Sequence, residues 1–467
     1  MTSTQHRTIA GHTGPVSASG PEFESAIAVW NRAQPRTPAL VAHCSSTDDV
    51  VAALSYARAQ GLPVTARSGG HSYTGASVID DGVVLDLRTM NGVAYDAQES
   101  IVRVGGGARW AAVDDVLGPA GVATAGGSVS KVGVAGFSLG TGFGWLGRTY
   151  GTAGDNLVEA TVVLADGSVV RAAADENPDL FWALRGGSGS FGIVTEFCFR
   201  TRPVGTALAG PVIYRMRDAA VVLRALAAGA AGLDRRASWT AIFTTAPPVP
   251  GVPVELVGEV VLLLPLLWVG DPQEGAAYLA PLRTLAEPVA DLVAVGPYSA
   301  FQRQADDAAP DGMCWDVRSE WLDDLDEANI QAAIDSALTM TSPLSELLFR
   351  TAGGALAESP ASTPFSFGHA RYLLEVIANW APGETPDPAR AWMRKAHGGQ
   401  VHTSSGGACV NHIGFGEDPQ RVRAAYSAQV YAQLREVKRR YDPDNLFPST
   451  AGSPGGAGHP ASRSRRR

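Results

Sequence analysis

The sequence predicts an α+β protein made of two differently textured sections. From about Pro21 to Pro203, short apolar runs of strand character alternate with glycine turns and a few helices. From about Val204 to Gln400, helical patterns alternate with longer strands, which reads as a second α+β unit. Composition agrees with a large packed core. Of 467 residues, 45% are hydrophobic and 18% charged, which excludes wholesale disorder.

Residues 1–20 are rich in Thr, Ser, Gly and His and read as a flexible N-terminus. Arg7 is their only basic side chain and no apolar stretch follows, so they do not read as a secretory signal. Thr47 to Gln60 is a helix: Ser46 or Thr47 caps it, Asp48 and Asp49 favour its positive end, and Gly61 stops it. Leu62 to Arg67 is a short strand running into Ser68-Gly69-Gly70-His71. Val83 to Leu87 and Ile101 to Val104 are strands, and Ala160–Leu164 with Val169–Ala172 form a hairpin turning at Asp166-Gly167. Pro178 to Leu184 is a helix and Ile193 to Phe197 a strand. In the second section Ala219 to Gly229 is helical, and Ile330, Ile334 and Leu338, four residues apart, mark another helix. The apolar run Val260 to Val269 is about half a membrane span and is broken by Pro265, so it reads as a buried strand pair. Tyr372 to Ile377 is a long strand. Arg421 to Arg440 is one amphipathic helix stopped by Asp442-Pro443, and residues 449–467 form a flexible basic tail.

Charge and cysteine usage narrow the partners. Lysine plus arginine number 37 against 46 acids, a net charge of −9 that repels phosphate backbones and disfavours nucleic acid. Cys44, Cys198, Cys314 and Cys409 lie too far apart for a disulfide scaffold or a zinc site. A cytoplasmic protein with reduced, packed thiols, no metal and no membrane partner is expected.

The 53 glycines cluster where the chemistry should be. Gly187-Ser188-Gly189-Ser190-Phe191-Gly192 fits the dinucleotide pattern, but a helix precedes it and a strand follows, the reverse of the order that pattern needs. Arg67-Ser68-Gly69-Gly70-His71-Ser72-Tyr73-Thr74-Gly75 follows a strand, so its amides can cradle a pyrophosphate and hold the histidine against the ligand. The same residues also fit a tight turn around a structural histidine. The stretch from Gly126 to Leu146 decides between the two, because a backbone this bare suits close approach to an extended ligand.

With these motifs the chain resembles the FAD-linked oxidases of the berberine bridge enzyme type, in the vanillyl-alcohol-oxidase class with its PCMH-type FAD-binding domain. The resemblance runs from about Pro38 to Pro203 and resumes at Tyr441-Asp442-Pro443-Asp444-Asn445-Leu446-Phe447; it includes Trp145 to Gly151, Asp155-Asn156-Leu157 and Asn177 to Gly187. It implies a two-part FAD-binding domain (21–204 and 406–448) around an inserted substrate domain (205–405) of antiparallel sheet backed by helices. It implies cofactor contacts at Arg67, Ser68, Gly69, Gly70, His71 and Ser72, then at Gly127, Ser128, Val132, Gly133, Gly136, Phe137, Gly142, Phe143 and Gly144, and at Gly192, Val194, Asn411 and Asn445. His71 is the residue that would bond covalently to the flavin 8α carbon. Some relatives add a cysteine where this chain has Val129, so single attachment is implied.

Two positions depart from relatives. Phe137 stands where many carry a histidine, and Cys409 stands where many carry a tyrosine two residues before Asn411. Glu375 falls where berberine bridge enzyme carries its catalytic glutamate. Leu373 and Glu375 share one strand face, and a carboxylate beside apolar neighbours should have a raised pKa suited to a general base. A glutamate facing solvent from a sheet also fits. Tyr150 is the second candidate for a catalytic role after Glu375; it and Trp145 would line the pocket near the ring or pack as ordinary aromatics. A valine at 132 resembles the oxygen-reactive members. The implied function is hydride transfer from a small alcohol, sugar or natural-product intermediate to flavin N5, with O2 reduced to H2O2. A dehydrogenase or oxygenating enzyme without stoichiometric peroxide, and a flavin-binding protein without catalysis, are the alternatives.

Overall fold

The computed structural model describes residues 8–358 and 363–448, and within them the α+β architecture is built on four sheets. In the first, Leu40–His43, Val83–Asp86 and Val64–Arg67 run parallel in that spatial order, with Val16–Ser17 antiparallel at the edge. The helix Thr47–Gln60 makes the crossover that a parallel pair requires. It is capped as read: Ser46 accepts the Asp49 N–H, and Gly61 leaves in the left-handed conformation. Residues 8–20, expected to be loose, are instead tied down. Ile9 and Val16 are buried in this layer's core, and the Thr13 N–H donates to Asp49 at 2.7 Å. The expected basic tail, 449–467, lies outside the described residues.

The second sheet is antiparallel: Val93–Asp96, Ile101–Gly105, Ile193–Arg200, Leu157–Val163 and Val169–Ala173. Its hairpin turns at Asp166-Gly167, where Gly167 takes φ 90° and Asp166 accepts the Ser168 N–H. A two-stranded ribbon joins Val122–Ala123 to Arg202–Pro203. The fourth sheet has eight antiparallel strands. Its order is Ala290–Asp291, Thr206–Arg215, Val260–Val269, Ala237–Thr245, Glu346–Thr351, Tyr372–Trp380 and Cys314–Leu322, with Ala294–Pro297 also on Thr206–Arg215.

Side-chain alternation gives this large sheet two different faces. Phe243, Leu264, Phe349, Leu374 and Val376 point to one side, where helices Ala219–Gly229, Pro272–Arg283, Glu327–Ala337 and Asp387–Gly398 pack on them. Ile242, Leu263, Leu348, Glu375 and Ile377 point to the other, toward the first section of the chain. The run Val260–Val269 is one strand, not the expected pair. Pro265 stands opposite Pro211, and pairing to Ala237–Thr245 skips Thr240 and Ala241, where Pro265 has no N–H to give. Helix Glu327–Ala337 ends before Leu338, which is exposed. A four-residue step advances about 40° around a helix, so the third residue of that spacing rotates off the buried face.

The C-terminal segment is two helices, Pro419–Ala424 and Ala428–Tyr441, where one was expected. Ser427 caps the second by accepting the Val430 N–H, and buried Tyr426 just before it donates to the Gly186 carbonyl at 3.0 Å. Ala408, Leu434, Val437 and Tyr441 pack into the same core as Phe181 and Leu184, so both ends of the chain build one body. All four cysteines are free and buried, and no helix among the described residues is long and apolar enough to cross a membrane.

Candidate active site

A cavity of about 940 Å³ opens between the helix-free face of the large sheet and the glycine loops of the first section. The strand Val64–Arg67 delivers the first loop to it, and Gly70 turns the chain there at φ 69°. Gly69 and Gly133 cross so closely that a Cβ on Gly69 would lie 2.3 Å from the Gly133 nitrogen, and one on Gly133 would lie 2.4 Å from the Gly69 nitrogen. Only glycine fits at either position. The result is a wall of bare backbone.

His71 lies on that wall with its ring stacked on Trp30 (centroids 4.1 Å apart, planes 14° apart), and Trp30 stacks in turn on Trp315 at 5.0 Å. Burial pulls its pKa down to about 4, so the ring is neutral near pH 7. Its Nε2 and the Ser68 hydroxyl are buried without a hydrogen-bond partner. Buried polar atoms normally have one. Two such atoms beside crossed glycines fit an extended polar cofactor.

Across the cavity, three charged side chains meet. Arg350 Nε donates to Glu375 Oε1 at 3.0 Å, and His412 Nδ1 lies 2.9 Å from the same oxygen. Arg350 also donates to the Ser128 hydroxyl at 3.4 Å, linking the sheet to the second glycine loop. Burial alone would raise Glu375, but Arg350 and His412 together outweigh it and hold the carboxylate down at about 2. Burial would likewise depress His412, yet Glu375 and Cys409 lift it to about 10. The expectation of a raised Glu375 pKa is therefore corrected. The strand is apolar as read, but two cations from elsewhere in the chain reach the carboxylate. Tyr73, edge-on to His412 at 6.0 Å, is lifted well above the usual phenol range by burial, with Glu375 and Glu346 adding to the effect.

Most of the expected site residues line the cavity: Ser68, Gly69, Gly70, His71, Ser72, Gly127, Ser128, Val132, Gly133, Gly136, Phe137, Phe143, Gly192, Val194, Glu375 and Asn411. Five do not. Arg67 turns away and donates to the carbonyls of Ser25, Ala26 and Ala28, which the end of helix Pro21–Ile27 leaves unpaired. Gly142 and Gly144 shape the loop from behind: a Cβ at 142 would meet Ala153 at 2.6 Å, and one at 144 the Gly126 carbonyl at 1.9 Å. Tyr150 packs near Trp145, with the Arg202 guanidinium 5.6 Å from its ring centre. Asn445 takes φ 54° in the turn after the last helix, a conformation asparagine tolerates. Tyr372 faces the helices, opposite to Glu375.

Sequence reading did not assign roles to Tyr73, Glu346, Arg350 or His412. Glu346 and Arg350 carried a signal: two charges an even number apart, with Leu348 between them, on a strand whose intervening residues are all apolar. His412 directly follows Asn411, so the C-terminal segment that carries this expected residue also brings an imidazole to the cavity.

Comparison with known proteins places these features in context. A family model described as FAD binding domain matches residues 38–173, and one described as berberine and berberine like matches residues 408–452. The chain is 30% identical over 443 residues to (R)-6-hydroxynicotine oxidase of Paenarthrobacter nicotinovorans, covering 91% of this chain and 93% of that one. The crystal structure of 6-hydroxy-D-nicotine oxidase from Arthrobacter nicotinovorans matches with a TM-score of 0.83 at 28% identity, over 93% of this chain and 96% of that one. Glucooligosaccharide oxidase from Acremonium strictum, described with a 6-S-cysteinyl, 8α-N1-histidyl FAD, shares the fold at 23% identity (TM-score 0.82; 93% and 95% covered).

Proposed function

For a chain that belongs to the FAD-linked oxidases of the berberine bridge enzyme type, and is thus a flavin-dependent oxidoreductase, we propose oxidation of a small apolar amine or alcohol with O2 as electron acceptor. The observation that carries this reading is His71: a neutral imidazole, held by the Trp30 stack, with an unpartnered nitrogen on a wall of crossed glycines. A neutral ring nitrogen is nucleophilic, so His71 would hold the cofactor by a single covalent bond. The amides around Gly69, Gly127 and Gly133 would take its polar length. Bound FAD supplies hydride acceptance and the passage of two electrons to O2, giving H2O2.

The chain's own part is to bind, orient and keep water out. Ile242, Leu263, Pro265, Leu348, Ile377 and Trp315 form apolar walls, leaving few partners for the many hydroxyls of a sugar. A largely apolar body with one polar group fits better, and the name of the 6-hydroxynicotine relative supports an amine. The fixed charges of Arg350, Glu375 and His412 orient that polar group. Val132 lines the wall beside Gly133, and its small side chain supports the reading of O2 as acceptor, since it would leave room for oxygen.

Acid-precipitated protein should stay yellow, and His71→Ala should give a colourless pellet. Screening amines and alcohols anaerobically should then find one that bleaches the flavin, with one H2O2 formed per substrate in air. A colourless wild-type pellet refutes the covalent bond; bleaching without peroxide refutes the oxidase.

A further inference from the structure

One carboxylate on the cavity wall has no assigned role. Glu346 opens the strand Glu346–Thr351 and shares its cavity face with Leu348 and Arg350. It stands opposite Ile377, while Glu375 stands opposite Leu348. Glu346 and Glu375 are thus diagonal neighbours, with Cα atoms roughly 7–8 Å apart for such a pair. Arg350 is four strand residues away, about 13 Å along the strand, and it is engaged with Glu375 and Ser128. Among the described residues the Glu346 carboxylate has no hydrogen bond or ion pair. It is half-buried on the part of the cavity wall that Leu344, Leu348 and Ile377 also line.

The other titratable groups facing this space are committed elsewhere. Glu375 is locked between Arg350 and His412 and holds its proton too weakly to act as an acceptor near neutral pH. His412 and Tyr73 keep their protons. His71 is the proposed cofactor ligand. Asp307, the other carboxylate on the wall, is exposed to solvent.

We propose that Glu346 is the proton acceptor of the substrate-oxidising step, taking the proton of the substrate's N–H or O–H as the neighbouring C–H is broken. The N–H or O–H bond and the C–H bond break, and a C=N or C=O double bond forms. The proton goes to a Glu346 oxygen, and the C–H electron pair leaves with its hydrogen to the flavin, the two-electron oxidant of this family. This step rests on the oxidase reading above. The electrostatics agree with it. Burial pushes the Glu346 carboxyl up to about 7, with Arg350 pulling against it and Glu375 pushing further, and a base is most effective when its pKa lies near the working pH.

The test uses flavin-loaded wild type, Glu346→Gln, Glu346→Asp and Glu375→Gln. Infrared difference spectra between pH 5 and 9 should show a protonated carboxyl band that titrates near neutrality in wild type, persists in Glu375→Gln and is absent from Glu346→Gln. In stopped flow, Glu346→Gln should slow anaerobic flavin reduction by roughly 100- to 10,000-fold and abolish its rise through neutral pH. Glu346→Asp should keep that rise at a reduced rate. Near wild-type reduction with an unchanged pH profile in Glu346→Gln overturns the assignment, as does a titrating band that survives the substitution. Wild-type flavin that no amine or alcohol bleaches would instead overturn the oxidase reading; the infrared titration needs no substrate and separates the two failures.

Discussion

His412 and Glu375 form a buried ion pair whose two shifts have opposite consequences for stability. His412, raised from 6.5 to about 10, contributes stability that is fully present below pH 6.5 and lost as pH rises toward 10. Glu375, lowered from 4.5 to about 2, contributes stability that is present above pH 4.5 and lost as pH falls through 2. Between pH 5 and 6.5 both contributions stand. The flavin-loaded protein should therefore lose on the order of 1–3 kcal/mol between pH 6.5 and 10 through this imidazole. Denaturant midpoints across that range measure the loss, and His412→Asn should flatten the decline while lowering stability at pH 6. Parallel slopes in variant and wild type would mean the imidazole does not carry its proton in the folded state.

The second glycine loop is an element with almost no side chains to anchor it, and the C-terminal segment anchors it from outside. Asn411 Oδ1 accepts the N–H groups of Thr141 and Gly142 at 2.8 and 2.9 Å, and its Nδ2 donates to the carbonyls of Gly136 and Phe137 at 3.2 Å each. Gly140 makes room for it, since a Cβ there would lie 2.2 Å from the Asn411 amide nitrogen. The residue that resemblance assigned to the cofactor thus spends both ends of its side-chain amide on shaping the loop. Asn411→Ala should cost roughly 2–4 kcal/mol, because two buried N–H groups lose their acceptor. Hydrogen exchange at Thr141 and Gly142 should accelerate by a factor of ten or more. Unchanged exchange there would show that the loop holds itself.

At the scale of the whole molecule, the cavity exists only while the large sheet stays pressed against the glycine loops. Arg148, buried in the short helix Gly147–Tyr150, reaches across that boundary. Its guanidinium donates to the carbonyls of Leu233, Asp234, Ala237 and Ala352. A planar group with five donors can satisfy four carbonyls at once, and lysine cannot. Arg148→Met should lower stability by about 3 kcal/mol or more, and Arg148→Lys should recover only part of it. Urea midpoints read this directly. A full rescue by lysine would reduce the contact to simple charge.

Local signals were legible wherever the physics is local. The Ser46 cap, the left-handed Gly61, the Asp166-Gly167 turn and the strand alternation around Glu375 each depend on a handful of neighbours, and all four stand in the structure. The glycine clusters likewise marked the cavity wall, because a missing Cβ is a property of the residue itself. What the tertiary structure alone decided is how distant parts of the chain meet. Arg67 faces a helix end and not the cavity, since the carbonyls that attract it belong to residues 25–28. Tyr150 lies outside the cavity and Tyr73 inside it, although both sit in glycine-flanked motifs. Most of all, the sign of the Glu375 shift was not readable along its own strand. Apolar neighbours raise a carboxylate, but Coulomb attraction in a poorly solvated site grows steeply as a cation approaches. Only the fold brings Arg350 and His412 within about 3 Å of that one oxygen.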